Sequence, residues 1–255
     1  RLNIQFIGNS MIHKGLRQFY LMNNEVCRLH LIPQLLAHLP GKGQHIAFIH
    51  GRDLLVFDDD PALAEADDPV ADLLDDVHVV LDTALGEIEI AVDTGRAPVS
   101  AGDFLSYVDE GLYEGASFYR TVMPENDNGT PVISVIQGGV QDPARNLPPV
   151  RHETTVETGL RHKNGVISLA RTDPGTGGGS AFFICIGDQP SLDFGGMRNP
   201  DGQGFAAFGR VIRGMDVVHA IHGQAADAES VSAYTAGQIL TTPVIILEAR
   251  RTAVS

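Results

Sequence analysis

From Val77 onward, apolar and polar positions alternate. Val77, Val79 and Leu81 interleave with His78 and Asp82, a turn follows at Leu85-Gly86, and Ile88, Ile90 and Val92 then interleave with Glu89 and Ala91. A period of two on both arms predicts an antiparallel hairpin with one buried face. The period then lengthens: Ala101, Phe104, Leu105 and Val108 share one helical face, with Pro98 near the start, Ser100 and Asp103 at capping-box spacing, and Gly111 as the stop. Further strands are predicted at residues 117–123, 132–137, 166–170, 181–186, 205–211 and 244–248. Met215, Val218 and His222 mark a second short helix ended by Gly223. Short antiparallel strands with no βαβ rhythm and no internal repeat predict a mainly β fold, a closed eight-stranded antiparallel barrel capped by two helices.

The stretch 164–192 stands out within this pattern. Its two apolar runs flank a polar loop, residues 171–180, that carries four glycines and a proline. Two strands joined by a Gly-rich connection is the direct reading, and loops held by rigid strands often carry function. The adjoining Phe182-Phe183 pair is expected to split, one ring facing the core and one the opposite side, because side chains alternate along a strand.

Before Val77 the chain has a different character. Residues 34–39, between Pro33 and Gly41, predict a short helix, and residues 45–57 predict a hairpin turning at His50-Gly51-Arg52-Asp53. Residues 58–76 hold nine acids, no bases and two prolines, which favours an extended, solvated linker. The expected organisation is an appendage of unassigned role at 1–57, an acidic linker at 58–76 and a main domain at 77–255. His38, His45 and His50 have no Cys or carboxylate at ligand spacing and are not assigned to a metal.

Composition changes this picture mainly by exclusion. A length of 255 residues suits one large domain with an appendage, and 43% hydrophobic residues is ordinary for a globular chain. The net charge of −14 argues against a nucleic-acid partner, which would call for a basic stripe. No window reaches the roughly 18 apolar residues that would span a membrane, and residues 1–19 lack a signal-peptide pattern. The first residue is Arg1, so the expected location is cytoplasmic by default, and periplasmic or secreted if a leader was removed. Two cysteines, Cys27 and Cys185, exclude a disulfide framework, and Cys185 in an apolar run is expected to be a small buried hydrophobe.

Three separated blocks, in order over about 170 residues, resemble the cyclophilin family of peptidyl-prolyl isomerases. The first is Ser117-Phe118-Tyr119-Arg120 followed by Val135-Ile136-Gln137-Gly138-Gly139, similar to the family's Phe-His-Arg and Gln-Gly-Gly motif. The second is Ile167-Ser168-Leu169-Ala170 with Ser180-Ala181-Phe182-Phe183-Ile184. The third is Phe208-Gly209-Arg210-Val211 with Gly214-Met215-Asp216-Val217-Val218. The resemblance implies an enzyme that needs no cofactor or metal, acts on proline-containing polypeptides and assists protein folding; a monomer is the expected state. It implies that Arg120 is the catalytic cation and that Gln137 supports it and binds substrate backbone. Phe183 would floor a proline pocket walled by Val135 and Leu192, and backbone groups of Ala170 and Arg171 would pair with the substrate chain.

The chain departs from the family pattern at the pocket mouth. Ala181 replaces a Gln, Ser191 replaces a Trp, Phe205 stands where a His is usual, and 124–131 replaces a compact turn. These changes predict weaker cyclosporin binding and an altered substrate preference. The competing reading is a cyclophilin-fold module that binds Pro-containing segments without useful catalysis. Residues 175–179 lack the Lys-Ser/Thr ending and following helix of a phosphate loop. His152 and His162, near Glu153 and Glu157, are expected on a solvated polar loop and not at a metal. Asn128-Gly129-Thr130 fits a glycosylation sequon that is common by chance.

Overall fold

The computed structural model describes residues 30–31, 46–50, 53–57, 76–171, 174–177 and 179–252. The chain divides into two compact units, residues 1–74 and 75–255. In the first, β1 (His30–Leu31), β2 (Ile46–His50) and β3 (Asp53–Phe57) form a three-stranded antiparallel sheet in the order β1-β2-β3. His50 pairs with Asp53, as the expected hairpin requires. The expected helix at 34–39, residues 58–75 of the acidic run, Cys27, His38 and His45 lie outside the described residues.

The second unit is the predicted barrel. Its strands are β4 (Asp76–Thr83), β5 (Gly86–Asp93), β6 (Ser117–Val122), β7 (Val135–Gly139), β8 (Val166–Leu169), β9 (Phe182–Cys185), β10 (Ala206–Arg213) and β11 (Ile239–Thr252). They close in the order β10-β5-β4-β11-β6-β7-β9-β8, with every neighbouring pair antiparallel. Three helices accompany it: α1 (Pro98–Asp109), α2 (Thr155–Thr158) and α3 (Met215–His222). The unforeseen third helix, α2, is one turn of polar sequence closed by a capping box between Thr154 and Glu157 and ended by the left-handed Gly159.

The barrel interior is a continuous apolar core. Phe118, Ile136, Phe182, Ile184 and Phe208 meet Phe104 and Tyr107 of α1, together with Tyr113, all fully buried. Phe104, Tyr113 and Phe118 each stand edge-on to Phe182, with ring centroids at 5.6, 5.4 and 5.6 Å. That arrangement sets ring edges against ring faces, the favourable geometry for aromatic quadrupoles.

The start of α1 differs from expectation. Its N-cap is Ala97, with no side-chain cap, and Ser100 and Asp103 form no capping box. Glu153, more than 50 residues away in sequence, closes the helix instead. Its carboxylate accepts from the amides of Val99 and Ser100 at 3.2 and 2.7 Å and from Ser100 Oγ at 2.8 Å. A buried anion there satisfies two orphan amides and complements the helix dipole.

Candidate active site

A second, smaller apolar cluster lies on the outer face of the barrel wall. Val122, Ile133, Val135, Phe183, Cys185 and Leu192 form it, with Ala170 and Phe205 packed against it. Strand alternation generates this surface: in β9, Phe182 and Ile184 enter the inner core while Phe183 and Cys185 turn outward. Five of the predicted binding residues, Val135, Phe183, Leu192, Ala170 and Phe205, are thereby brought together. Phe205 stands edge-on to Phe183 at 5.2 Å. Burial pushes the Cys185 thiol well above its ordinary value, so this sulfur acts as packing.

A local irregularity aims Arg120 at the cluster. Phe118 and Arg120 would share a face of an unbroken strand, yet Phe118 lies in the core. The β6–β7 pairing shifts between them: Phe118 faces Gly138 and Arg120 faces Gln137. The extra residue, Tyr119, is a bulge that turns Arg120 to the outer face beside Gln137 and Val135. Gly138, opposite Phe118, eases the close approach, because a Cβ there would meet Phe118 Cδ1 at 3.0 Å and the Ser117 carbonyl at 3.1 Å.

Neutral amides hold the Arg120 guanidinium. Nη1 donates to Gln137 Oε1 at 2.8 Å, while Nε and Nη2 donate to Gln238 Oε1 at 3.0 and 2.6 Å. Gln137 Nε2 donates to Tyr119 Oη at 2.9 Å, and Gln238 Nε2 to the Asn126 carbonyl at 2.8 Å, so both amides are oriented from behind. A guanidinium has five N–H donors; three are placed here, and Tyr234 also contacts the group. Burial draws the Arg120 pKa below its ordinary value. Among the described residues no carboxylate pairs with it, so the charge is positioned without being neutralised.

Sequence reasoning missed Gln238 and Tyr234. The Arg120 Cζ lies 5.4 Å from the Tyr234 ring centroid. Gln238 is fully buried and directly precedes β11, whose first residue, Ile239, pairs with Arg120. The predicted strand at 244–248 left those first residues out. A β-signal extended to Ile239 would have pointed to the amide beside it.

The polar surroundings also differ from expectation. His152, Glu153 and His162 are buried, not solvated; only Glu157 of that group faces water. His162 stacks on Phe183, with centroids 5.9 Å apart and planes 17° from parallel. Its Nδ1 lies 2.8 Å from Asp193 Oδ1 and its Nε2 lies 3.1 Å from Ser168 Oγ. Burial lowers its pKa against the opposing pull of Asp193. The neutral ring therefore donates from Nδ1 to the carboxylate and accepts the Ser168 hydroxyl. No group of three or more His, Cys, Asp or Glu suited to a metal occurs among the described residues.

Arg171 has a structural task. Its side chain is buried, donates to both Asp201 oxygens at 2.8 and 2.7 Å and to the Gly204 carbonyl at 2.7 Å, and lies 5.5 Å from the Phe205 ring. The Ala170 amide is committed to the Ala181 carbonyl at 2.9 Å, which ties these two predicted residues to each other. Asn128, of the sequon, donates Nδ2 to the Tyr234 and Ala236 carbonyls at 3.2 and 2.9 Å.

An aimed, unneutralised cation beside an apolar cluster suits a reaction without nucleophile or proton relay. Similarity to known proteins agrees. Residues 78–249 match the model of the family described as "Cyclophilin type peptidyl-prolyl cis-trans isomerase/CLD". The chain is 35% identical over 176 residues to peptidyl-prolyl cis-trans isomerase A of Dickeya dadantii, covering 68% of this chain and 83% of that one. It is 32% identical over 151 residues to peptidyl-prolyl cis-trans isomerase B of Escherichia coli, covering 58% and 85% respectively. A solved cyclophilin type isomerase of Cryptosporidium parvum shares the fold, with a TM-score of 0.51, 17% identity, and coverage of 71% of this chain and 99% of that one. With the barrel, the bulge-borne arginine and the family match over most of the second unit, the chain belongs to the cyclophilin-type peptidyl-prolyl cis-trans isomerases.

Proposed function

We propose that the outer cluster receives the ring of a substrate proline and that Arg120 accelerates rotation of the preceding peptide bond. The observation that carries this assignment is the Arg120 guanidinium, held by the neutral amides of Gln137 and Gln238 with no carboxylate paired to it among the described residues. Rotation of an X-Pro bond is opposed by a barrier of about 18–20 kcal/mol from amide resonance. At the twisted geometry the nitrogen lone pair is localised, and a positioned cation favours that state over either planar isomer. A thousandfold acceleration needs only about 4 kcal/mol of such preference.

Phe183 supplies the floor, Val135 and Leu192 the walls and Phe205 one edge. Gln137 orients Arg120 and offers its amide to the substrate backbone. The pairing of substrate with the strand ends at Ala170 and Arg171 falls to their remaining backbone groups. The substrates are proline-containing segments of polypeptides, taken by a monomer without nucleic acid; light scattering at working concentration tests the oligomeric state.

A protease-coupled proline-flip assay tests the catalytic assignment. Arg120→Ala is expected to lower kcat/KM by about 10²–10³-fold, beyond the effect of the about 1–3 kcal/mol of stability lost by leaving the buried Gln238 oxygen without its donor, with rates compared on fully folded protein. Equal rates for the two proteins would overturn the role of Arg120 and favour the binding-module reading. The domain assignment has its own test: proteolysis within 58–76 should be rapid and leave a stable fragment beginning near Val77.

A further inference from the structure

We propose that Val132, Met197 and Tyr234, gathered around Arg198, form a second subsite that takes an aromatic or large aliphatic side chain next to the substrate proline. This rests on the proposed placement of that proline beside Arg120. The three side chains come from separate segments, yet each is exposed, at 55%, 57% and 47%. Exposed apolar groups brought together at one place mark binding surfaces more often than scattered ones do.

Arg198 is what gathers them. Its Nη1 donates to the Pro131 carbonyl, next to Val132, at 2.7 Å, and its Nη2 donates to Tyr234 Oη at 2.9 Å. Met197 is its chain neighbour. Both Nη atoms also bind the Asp127 carboxylate at 2.7 Å, and the two side chains are 1% and 0% exposed. The hub is therefore charge-neutral and rigid, and it leaves an apolar rim with no free charge of its own. Gly129 permits the arrangement, since a Cβ there would lie 2.5 Å from the Arg198 guanidinium carbon.

Two further observations point to a built site. Met197 has φ 65°, in the left-handed region that non-glycine residues seldom occupy, and holds an exposed apolar side chain there. The rim is also continuous with the reaction centre, because the Tyr234 ring lies 5.4 Å from the Arg120 guanidinium carbon. An extended chain advances about 3.3–3.6 Å per residue. A residue adjoining a proline held at Arg120 thus comes within reach of Tyr234.

The test uses a panel of proline peptides with Phe or Ala at the residue before or after the proline, read by exchange NMR for kcat/KM and by titration for Kd. The wild type should prefer Phe at one of the two positions by roughly fivefold. Tyr234→Ala should bring that ratio toward one. Met197→Gly, which removes the side chain and suits the left-handed backbone, should reduce it without disturbing Arg120. Equal handling of Phe and Ala at both positions, or a ratio that survives both variants, would overturn the subsite. A Kd preference that the variants abolish, in a protein with no turnover, would uphold the subsite and count against the proposed catalysis alone.

Discussion

Phe182 and Phe183 are consecutive residues of one strand and belong to two regions of opposite design. Phe182 is enclosed by Phe104, Tyr113 and Phe118 in an inner core continuous with most of the barrel. Phe183 belongs to an outer cluster of six buried residues, bordered by polar assemblies: His162 with Asp193 and Ser168, Arg171 with Asp201, and Arg120 with two amides. The inner region finds its packing partners within the chain. The outer one is also packed, yet it is small and lies on the outer face of the wall, beside the groups that hold Arg120.

The largest effects should separate the two rings. Phe182→Ala is expected to cost about 3–5 kcal/mol of stability, measured by urea unfolding, since it opens a cavity in a closed core. Phe183→Ala also removes a buried ring, and it should in addition lower kcat/KM by about 10- to 100-fold, through lost contact with the proline ring, beyond what its loss of stability explains. Activity merely following the folded fraction in both variants would erase the distinction.

The pH dependence of stability gives a second contrast, because the buried titratable groups of the two regions act in opposite senses. Beside the inner core, burial raises the Asp103 carboxyl from 3.8 to about 6. The stability it contributes is fully present below 3.8 and is lost as pH rises through about 6. Asp103→Asn should therefore gain about 2 kcal/mol over the wild type near pH 8, and the gain should vanish near pH 4. Beneath the outer cluster, the lowered His162 keeps its ring neutral while the unfolded chain takes up a proton. Stability then falls as pH drops below about 6.5, and His162→Gln should flatten that part of the profile. Thermal melts across this pH range check both signs.

A smaller effect tests how the reaction centre is held. Gln238→Ala removes the acceptor of two Arg120 hydrogen bonds and should reduce kcat by about tenfold with little change in KM, because it alters aim more than binding. Gln238→Glu, which retains an oxygen acceptor but adds a counter-charge, should restore the position of Arg120 without restoring the rate. Full recovery by Glu would mean that the neutrality of the amides is irrelevant.

Periodicity was enough to anticipate all eight barrel strands and both longer helices, since each signal lies within one short segment. The family motifs pointed to Arg120, Gln137, Phe183 and Leu192 for the same reason. What escaped were partners distant along the chain. Glu153 caps a helix that begins at Pro98, Gln238 holds Arg120 across 118 positions, and Arg198 joins Asp127 to Tyr234. His152 and His162 read as solvated loop because polar residues without a period carry no local sign of burial. Their burial depends on donors and acceptors supplied by Gln203, Asp193 and Ser168.

The sequence by itself determined which faces are apolar, and so the barrel and the splitting of the Phe pair, because alternation within a strand is a property of its own residues. Only the tertiary structure decided where Arg120 points. One extra residue between Phe118 and Arg120 reverses the face, and whether that residue bulges depends on the register against Gly138 and Gln137. The same holds for the charge that Arg120 keeps: its partners are brought together by barrel closure, and no spacing within either strand encodes them.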